Sequence, residues 1–163
     1  MLTPEYVLEV AKHTITATEY CFFITQGTTG QIDARLMQPF APEEDLTLWF
    51  GTSPRSRKVR DLQQQRQVTV AFHEAIANAY VALVGLAQVE DDLTTRWHRW
   101  REEWRTFFPA GPAGEDYVLI KVVPQRLEVM SFVRQVTPPP FGLCPAVLVR
   151  RGDVWLLEEP SDQ

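Results

Sequence analysis

The stretch "YCFFITQGTTGQIDARLMQPF", residues 20–40, decides the fold class. Its first part, Tyr20 to Thr25, is an aromatic and β-branched run that is too short for a stable helix and suits a strand. Its last part, residues 31–40, alternates, with Ile32, Ala34 and Leu36 on one face and Asp33, Arg35 and Met37 on the other. Between them, Gln26-Gly27-Thr28-Thr29-Gly30 places glycines where a hairpin loop needs positive φ. Strands joined by so short a loop run antiparallel, because a parallel crossover needs a dozen or more residues. Arg35 therefore lies on the face opposite the apolar one.

The same alternation continues downstream. "DLTLWFGT" (45–52) reads as a third strand with Leu46, Leu48 and Phe50 on one side, and "QVTVAF" (67–72) as a fourth. "AYVALVGLAQVED" (79–91) is a fifth, long enough that Gly85 marks a bend or bulge. "YVLIKVV" and "RLEVMSF" add strand around Pro124. After the Pro138-Pro139-Pro140 break, "AVLVRRGDVWLLEE" forms a hairpin turning at Gly152-Asp153. Helices are few. Residues 4–15 begin one, with Thr3 as N-cap and Pro4 at the first helical position. A short second helix follows the third strand, capped by Ser53 or Ser56, with Val59 and Leu62 as its apolar contacts. Residues 92–108, "DLTTRWHRWREEWRTFF", are expected to form a third, on which Trp97, Trp100, Trp104, Phe107 and Phe108 make one aromatic stripe. Such a stripe suits a packing face between subunits or a wall of a substrate pocket.

Seven or eight short strands with three helices exclude a parallel α/β sheet and fit an antiparallel barrel or sandwich. The 163 residues contain no internal repeat, so a single domain over 1–163 is expected, with 133–163 as a C-terminal extension. At 45% hydrophobic and 23% charged residues the chain is of ordinary globular type. A net charge of −5 argues against a protein that coats nucleic acid or an anionic membrane. No apolar segment is long enough to span a bilayer, and the N-terminal residues do not resemble a signal peptide, so the cytoplasm is the expected compartment. Cys21 and Cys144 have no metal-type spacing with each other or with His13, His73 and His98. No metal site is expected. Nucleophile elbows, phosphate-binding P-loops and dinucleotide fingerprints are likewise missing from the sequence.

One chemical feature stands out. "GTSPRSRKVRDL" (51–62) sets Arg55, Arg57, Lys58 and Arg60 at a strand end and helix start, in a chain that is acidic overall. Cations in the first turns of a helix oppose its dipole, at about 0.3–1 kcal/mol each. An anion bound there removes the conflict, because free backbone N–H groups and the dipole both favour negative charge. Thr52, Ser53 and Ser56 offer hydroxyl donors, and Arg57 offers a forked guanidinium suited to phosphate oxygens. The competing reading is a solvated basic turn paired with Glu43, Glu44 or Asp61.

The order of these pieces resembles the pyridoxamine 5′-phosphate oxidase-like, FMN-binding split-barrel superfamily, in particular its general stress protein branch. The resemblance rests on "FFITQGTTGQIDARLMQPF" with its Arg-x-Met, "LWFGTSPRSRKVRDLQQQRQVTVAF", "YVALVGLAQVEDD", the tryptophan-rich segment ending "FFPAGP", and "YVLIKVVPQRLEVMSF". It implies an antiparallel split barrel of Greek-key type that forms homodimers with FMN at the interface. It also implies that Arg57 and Lys58 hold the FMN phosphate with Thr52, Ser53 and Ser56. Arg35 and the backbone of Leu36, Met37 and Gln38 then lie along the ribityl chain and ring, with Tyr80 where members often carry a glutamine. The C-terminal Arg-x-His that addresses the substrate in true pyridoxamine phosphate oxidases is missing, since no histidine follows His98. The implied function is thus a flavin-dependent oxidoreductase other than a vitamin B6 oxidase, acting on a small molecule. The alternative is a non-catalytic module or flavin carrier, with deazaflavin or haem as alternative cofactors.

Overall fold

The computed structural model describes residues 1–137 and 144–159, so the Pro138-Pro139-Pro140 break lies outside the described residues. Helix α1, Pro4–Thr16, starts as its sequence dictates: Pro4 stands in the first turn, and the Thr3 hydroxyl accepts the Tyr6 N–H. The hairpin of β1, Cys21–Gln26, and β2, Ile32–Met37, pairs Phe22 with Leu36 and Phe23 with Arg35. The remaining strands are β3, Leu48–Thr52; β4, Gln67–Glu74; β5, Ala79–Glu90; β6, Val118–Ser131; β7, Ala146–Arg151; and β8, Val154–Leu157. Between β3 and β4 lies helix α2, Arg57–Gln64.

The fold is mainly antiparallel β with few helices. Its strands follow the order β2-β1-β4-β5-β6-β7-β8, and β3 joins by pairing with β6. β6 is the hub. One of its edges meets β5 along the whole of that strand, with a register shift at Val84/Gly85, the position where the sequence placed a bulge. Its other edge is shared: Val118 to Val122 pair with β3, and Arg126 to Val129 pair with β7. Pro124, which has no N–H to give, falls between the two partners.

The core lies between the concave faces of the strands and α1. Phe23, Phe50, Phe72, Leu83, Leu127 and Leu148 fill it, and the Phe23 and Phe50 rings meet edge to face at 5.1 Å, tying β1 to β3. Val7, Val10, Ala11 and Ile15 of α1 cap the assembly. On β2 the expected alternation holds, but it is the Arg35 face that turns inward. Asp33, Arg35 and Met37 are half-buried, while Ile32 and Leu36 are 68% and 61% exposed beside a 52% exposed Phe22.

Three expectations need correction. β2 ends at Met37 instead of residue 40, and β3 starts at Leu48 because Leu46 takes a left-handed φ of 66° in a turn closed by its N–H to the Glu43 carbonyl. Residues 92–108 do not form one helix. They divide into α3, Leu93–His98, and a 3₁₀ turn, Glu102–Thr106, separated by Arg101 in an extended conformation. The cause is tertiary. Arg99 stacks on the Trp49 ring at 4.2 Å and donates to Glu43 at 2.6 Å, while Arg101 stacks on Phe40 at 4.5 Å. The stripe is therefore divided: Trp104 is buried with Phe40, Trp49 and Tyr117 in a second core, Trp100 is half-buried, and Trp97 and Phe107 point to solvent at 59% and 73% exposure. Gly51 makes that second core possible, since a side chain there would strike the Trp104 and Tyr117 rings. Among the described residues no helix is long and apolar enough to cross a membrane.

Candidate functional site

β3 ends at the buried Thr52, and residues 53–56 turn directly into α2. Ser56 is the N-cap: its hydroxyl accepts the Val59 N–H at 3.4 Å. Val59 and Leu62 are buried and seat the helix against the sheet. This seating leaves the Arg57 and Lys58 N–H groups at the helix start without an intrahelical acceptor. Lys58 folds back over the strand end, its Nζ donating to Thr52 Oγ1 at 2.9 Å.

Arg35 reaches the same region from β2. Its Nη1 donates to Thr25 Oγ1 at 2.7 Å and to the Phe23 carbonyl at 3.5 Å. Thr25 in turn donates to Asp61 Oδ2 at 2.8 Å, and Arg35 Nη2 stands 3.7 Å from that oxygen. Arg35 Nη2 is buried and makes no hydrogen bond. Burial, and then the positive charge of Arg35, hold the Lys58 pKa below its ordinary value. So two cations lie close enough to repel, and only Arg35 has the buried Asp61 carboxylate beside it. Arg57 is exposed and has no ion pair among the described residues.

Arg35, Thr52 and Lys58 thus converge, and Ser53, Ser56 and Arg57 flank them in the turn. Leu36 and Met37 close β2 and Gln38 follows it; β2 is the end strand in the sheet order, so its outer edge has unpaired backbone groups. Tyr80 stands apart. It sits at the start of β5 opposite His73 and Met130, whereas the segment of β5 nearest β3 is Leu86 to Glu90. Burial, with the Glu128 carboxylate, raises the Tyr80 pKa. Glu43, one expected partner of the basic turn, instead binds Arg99 and accepts the Trp49 indole N–H at 2.8 Å. Thr25 and the anchoring role of Asp61 escaped sequence reasoning. The available signal was that Asp61 is the sole acid between Gly51 and Arg66.

The chain belongs to the pyridoxamine 5′-phosphate oxidase-like family, whose pattern matches residues 7–131. Solved structures similar to it include a protein related to general stress protein 26 from Clostridium acetobutylicum, 16% identical, covering 81% of this chain and 92% of that one with a TM-score of 0.70. A pyridoxamine 5′-phosphate oxidase-related, FMN-binding protein from Nostoc punctiforme is 16% identical and covers 96% and 94%, with a TM-score of 0.68. An F420 reductase is 18% identical over 71% of this chain and 94% of that chain, with a TM-score of 0.57. At these identities the likeness is one of fold. No curated protein matches.

Proposed function

We propose that this chain binds FMN through its phosphate, held by Arg57, Lys58, Thr52 and Ser53 with Arg35 beside them, and acts as a flavin-dependent oxidoreductase. The observation that carries the reading is the placement of Lys58 within reach of the Arg35 charge and without an ion pair of its own among the described residues, beside an Arg35 Nη2 that lacks a hydrogen bond. Such a site is one anion short, and a phosphate supplies three acceptor oxygens. The free N–H groups of Arg57 and Lys58 at the start of α2 suit the same ligand. The outer edge of β2 at Leu36 and Met37, with Gln38 after it, offers backbone groups to the rest of the cofactor. When bound, FMN supplies the electron-transfer chemistry; the chain supplies binding, orientation and local charge. One domain forms a Greek-key split barrel, and two copies pair through the apolar face of Phe22, Ile32 and Leu36, with the cofactor at the interface. Exposed apolar residues clustered on one face support that pairing.

Vitamin B6 oxidation is not the reaction we propose. Arg134 contacts His13 and Glu74, and Arg150 contacts Asp45 and Asp153, so these C-terminal arginines are already engaged. Saturating pyridoxine phosphate should give no peroxide release near 1 s⁻¹, the order typical of working enzymes. Deazaflavin is the second reading, favoured by the fold shared with an F420 reductase. The absorbance spectrum of the purified protein separates them, since a flavin gives two visible-region bands and a deazaflavin one. Titration decides the clamp. Arg57→Ala with Lys58→Ala should weaken FMN at least about 100-fold, from two charge-assisted contacts of about 1.5–3 kcal/mol each. Equal affinity in the wild type and the double variant would reject it.

A further inference from the structure

Beside the clamp, and sharing only Ser53 with it, lies a cavity of about 390 Å³ bounded by Ser53, Arg55, Ala110, Glu115 and Asp116. One wall is the turn that leads into α2. The other is the loop before β6, and it is held in place by a buried side chain. Arg96 of α3 donates to the Pro112 carbonyl at 2.8 Å, to the Gly114 carbonyl at 2.9 Å and to Asp91 at 2.5 Å. Gly114 lets the loop close on itself, because a Cβ there would fall 2.5 Å from the Ala110 Cβ and 2.6 Å from Asp116 Oδ1. The carboxylate wall is thus a built feature and not a loose surface loop.

Among the described residues, none of its charged groups, Arg55, Glu115 and Asp116, makes an ion pair. Asp116 Oδ1 is buried on the Gly114 side of the wall without a hydrogen-bond partner, a costly state that a donor drawn to this carboxylate would ease. Opposite it, Arg55 has no ion pair among the described residues, and its backbone N–H donates to Ser53 Oγ at 3.2 Å, which fixes the turn that carries it. Two carboxylates on one side and a guanidinium on the other call for one ligand with donors at one end and an anion at the other. An ammonium satisfies only the first wall, and a simple anion only the second. A ribose phosphate satisfies both: its vicinal hydroxyls donate to the acids and its phosphate meets the arginine. The volume is within the range of small-molecule pockets.

We propose that this cavity is a second small-molecule site, distinct from the clamp, that takes the ribose phosphate of a nucleotide with a free 2′,3′-diol. The acids favour the diol and repel a phosphate at the 2′ position. Calorimetric titration of the FMN-saturated full chain tests it with AMP, 2′-deoxy-AMP and adenosine 2′,5′-bisphosphate. AMP should bind, each analogue should bind about tenfold more weakly, and Asp116→Ala should erase the difference while leaving FMN affinity unchanged. Should Asp116→Ala fail to fold by circular dichroism, Arg55→Ala takes its place and should weaken AMP about tenfold but not adenosine. If FMN does not load, the titration is run in the Arg57→Ala, Lys58→Ala background, where AMP should still bind. The proposal is overturned if AMP does not bind, if all three nucleotides bind equally, or if AMP binding disappears with the clamp residues instead of with Asp116.

Discussion

Lys58 is a cation placed where burial and the Arg35 charge both oppose it, so its pKa lies below the ordinary 10.5. Between that lowered value and 10.5 the unfolded chain binds more protons than the folded one, so the stability of the ligand-free protein should rise with pH across that window. Below the window both states carry the proton and the destabilisation is complete. Urea unfolding at stepwise increasing pH should show this rise in the wild type, and Lys58→Met should flatten it; an unchanged slope in the variant would mean that Lys58 is not the group responsible. Phosphate or FMN should suppress the rise by giving the charge a partner. A second residue-scale expectation concerns the thiols. Burial pushes Cys21 up to about 12, whereas Cys144 is exposed, and only thiolate reacts readily. A maleimide should label Cys144 alone in the native protein and both cysteines after unfolding, as read by intact mass. Rapid native labelling of Cys21 would contradict its place beneath β2, where its Sγ donates to the Met37 carbonyl at 3.5 Å.

At the scale of elements, α2 carries the site, and its cap links stability to binding. Ser56→Ala should cost about 1 kcal/mol of stability and also weaken FMN by loosening the helix start. Ser56→Asp should restore the cap yet weaken FMN further, because it sets a negative charge against the phosphate. Parallel losses of stability and affinity in both variants would rule out that separation. The Ser56 cap, the Thr3 cap, the Gly85 bulge and the turn at Gly152, where φ is 62°, were readable in the sequence because each is settled within a few residues. The segment 92–108 was not. Its aromatic spacing is helical, but Glu43, Phe40 and Trp49, some fifty residues upstream, take Arg99 and Arg101 and break it. The site divides the same way. The cations of 55–60 were visible as a local anomaly, whereas Thr25 and Asp61 gain their roles only once β1 pairs with β2 and α2 settles on the sheet.

For the whole molecule, the outward apolar face of β1 and β2 is the test of assembly. Phe22 pairs across the strands with Leu36, so Leu36→Glu would put a charge into the middle of the proposed contact. Light scattering at micromolar concentration should find a dimer in the wild type and a monomer in the variant, with unchanged circular dichroism. A wild-type monomer that still holds FMN would overturn the shared-site arrangement. The divided edge of β6 has a further consequence, for the order in which the chain is made. β1, β2 and β4 can pair as they leave the ribosome, but β3 has no partner until Val118 to Val122 follow it out. Until then Leu48 and Phe50, both fully buried in the finished protein, have no strand to lie against. Pairing across so long a stretch of chain is slow compared with a hairpin. Nascent chains stalled between β5 and β6 should therefore be the form of this protein most prone to aggregate and most dependent on chaperones.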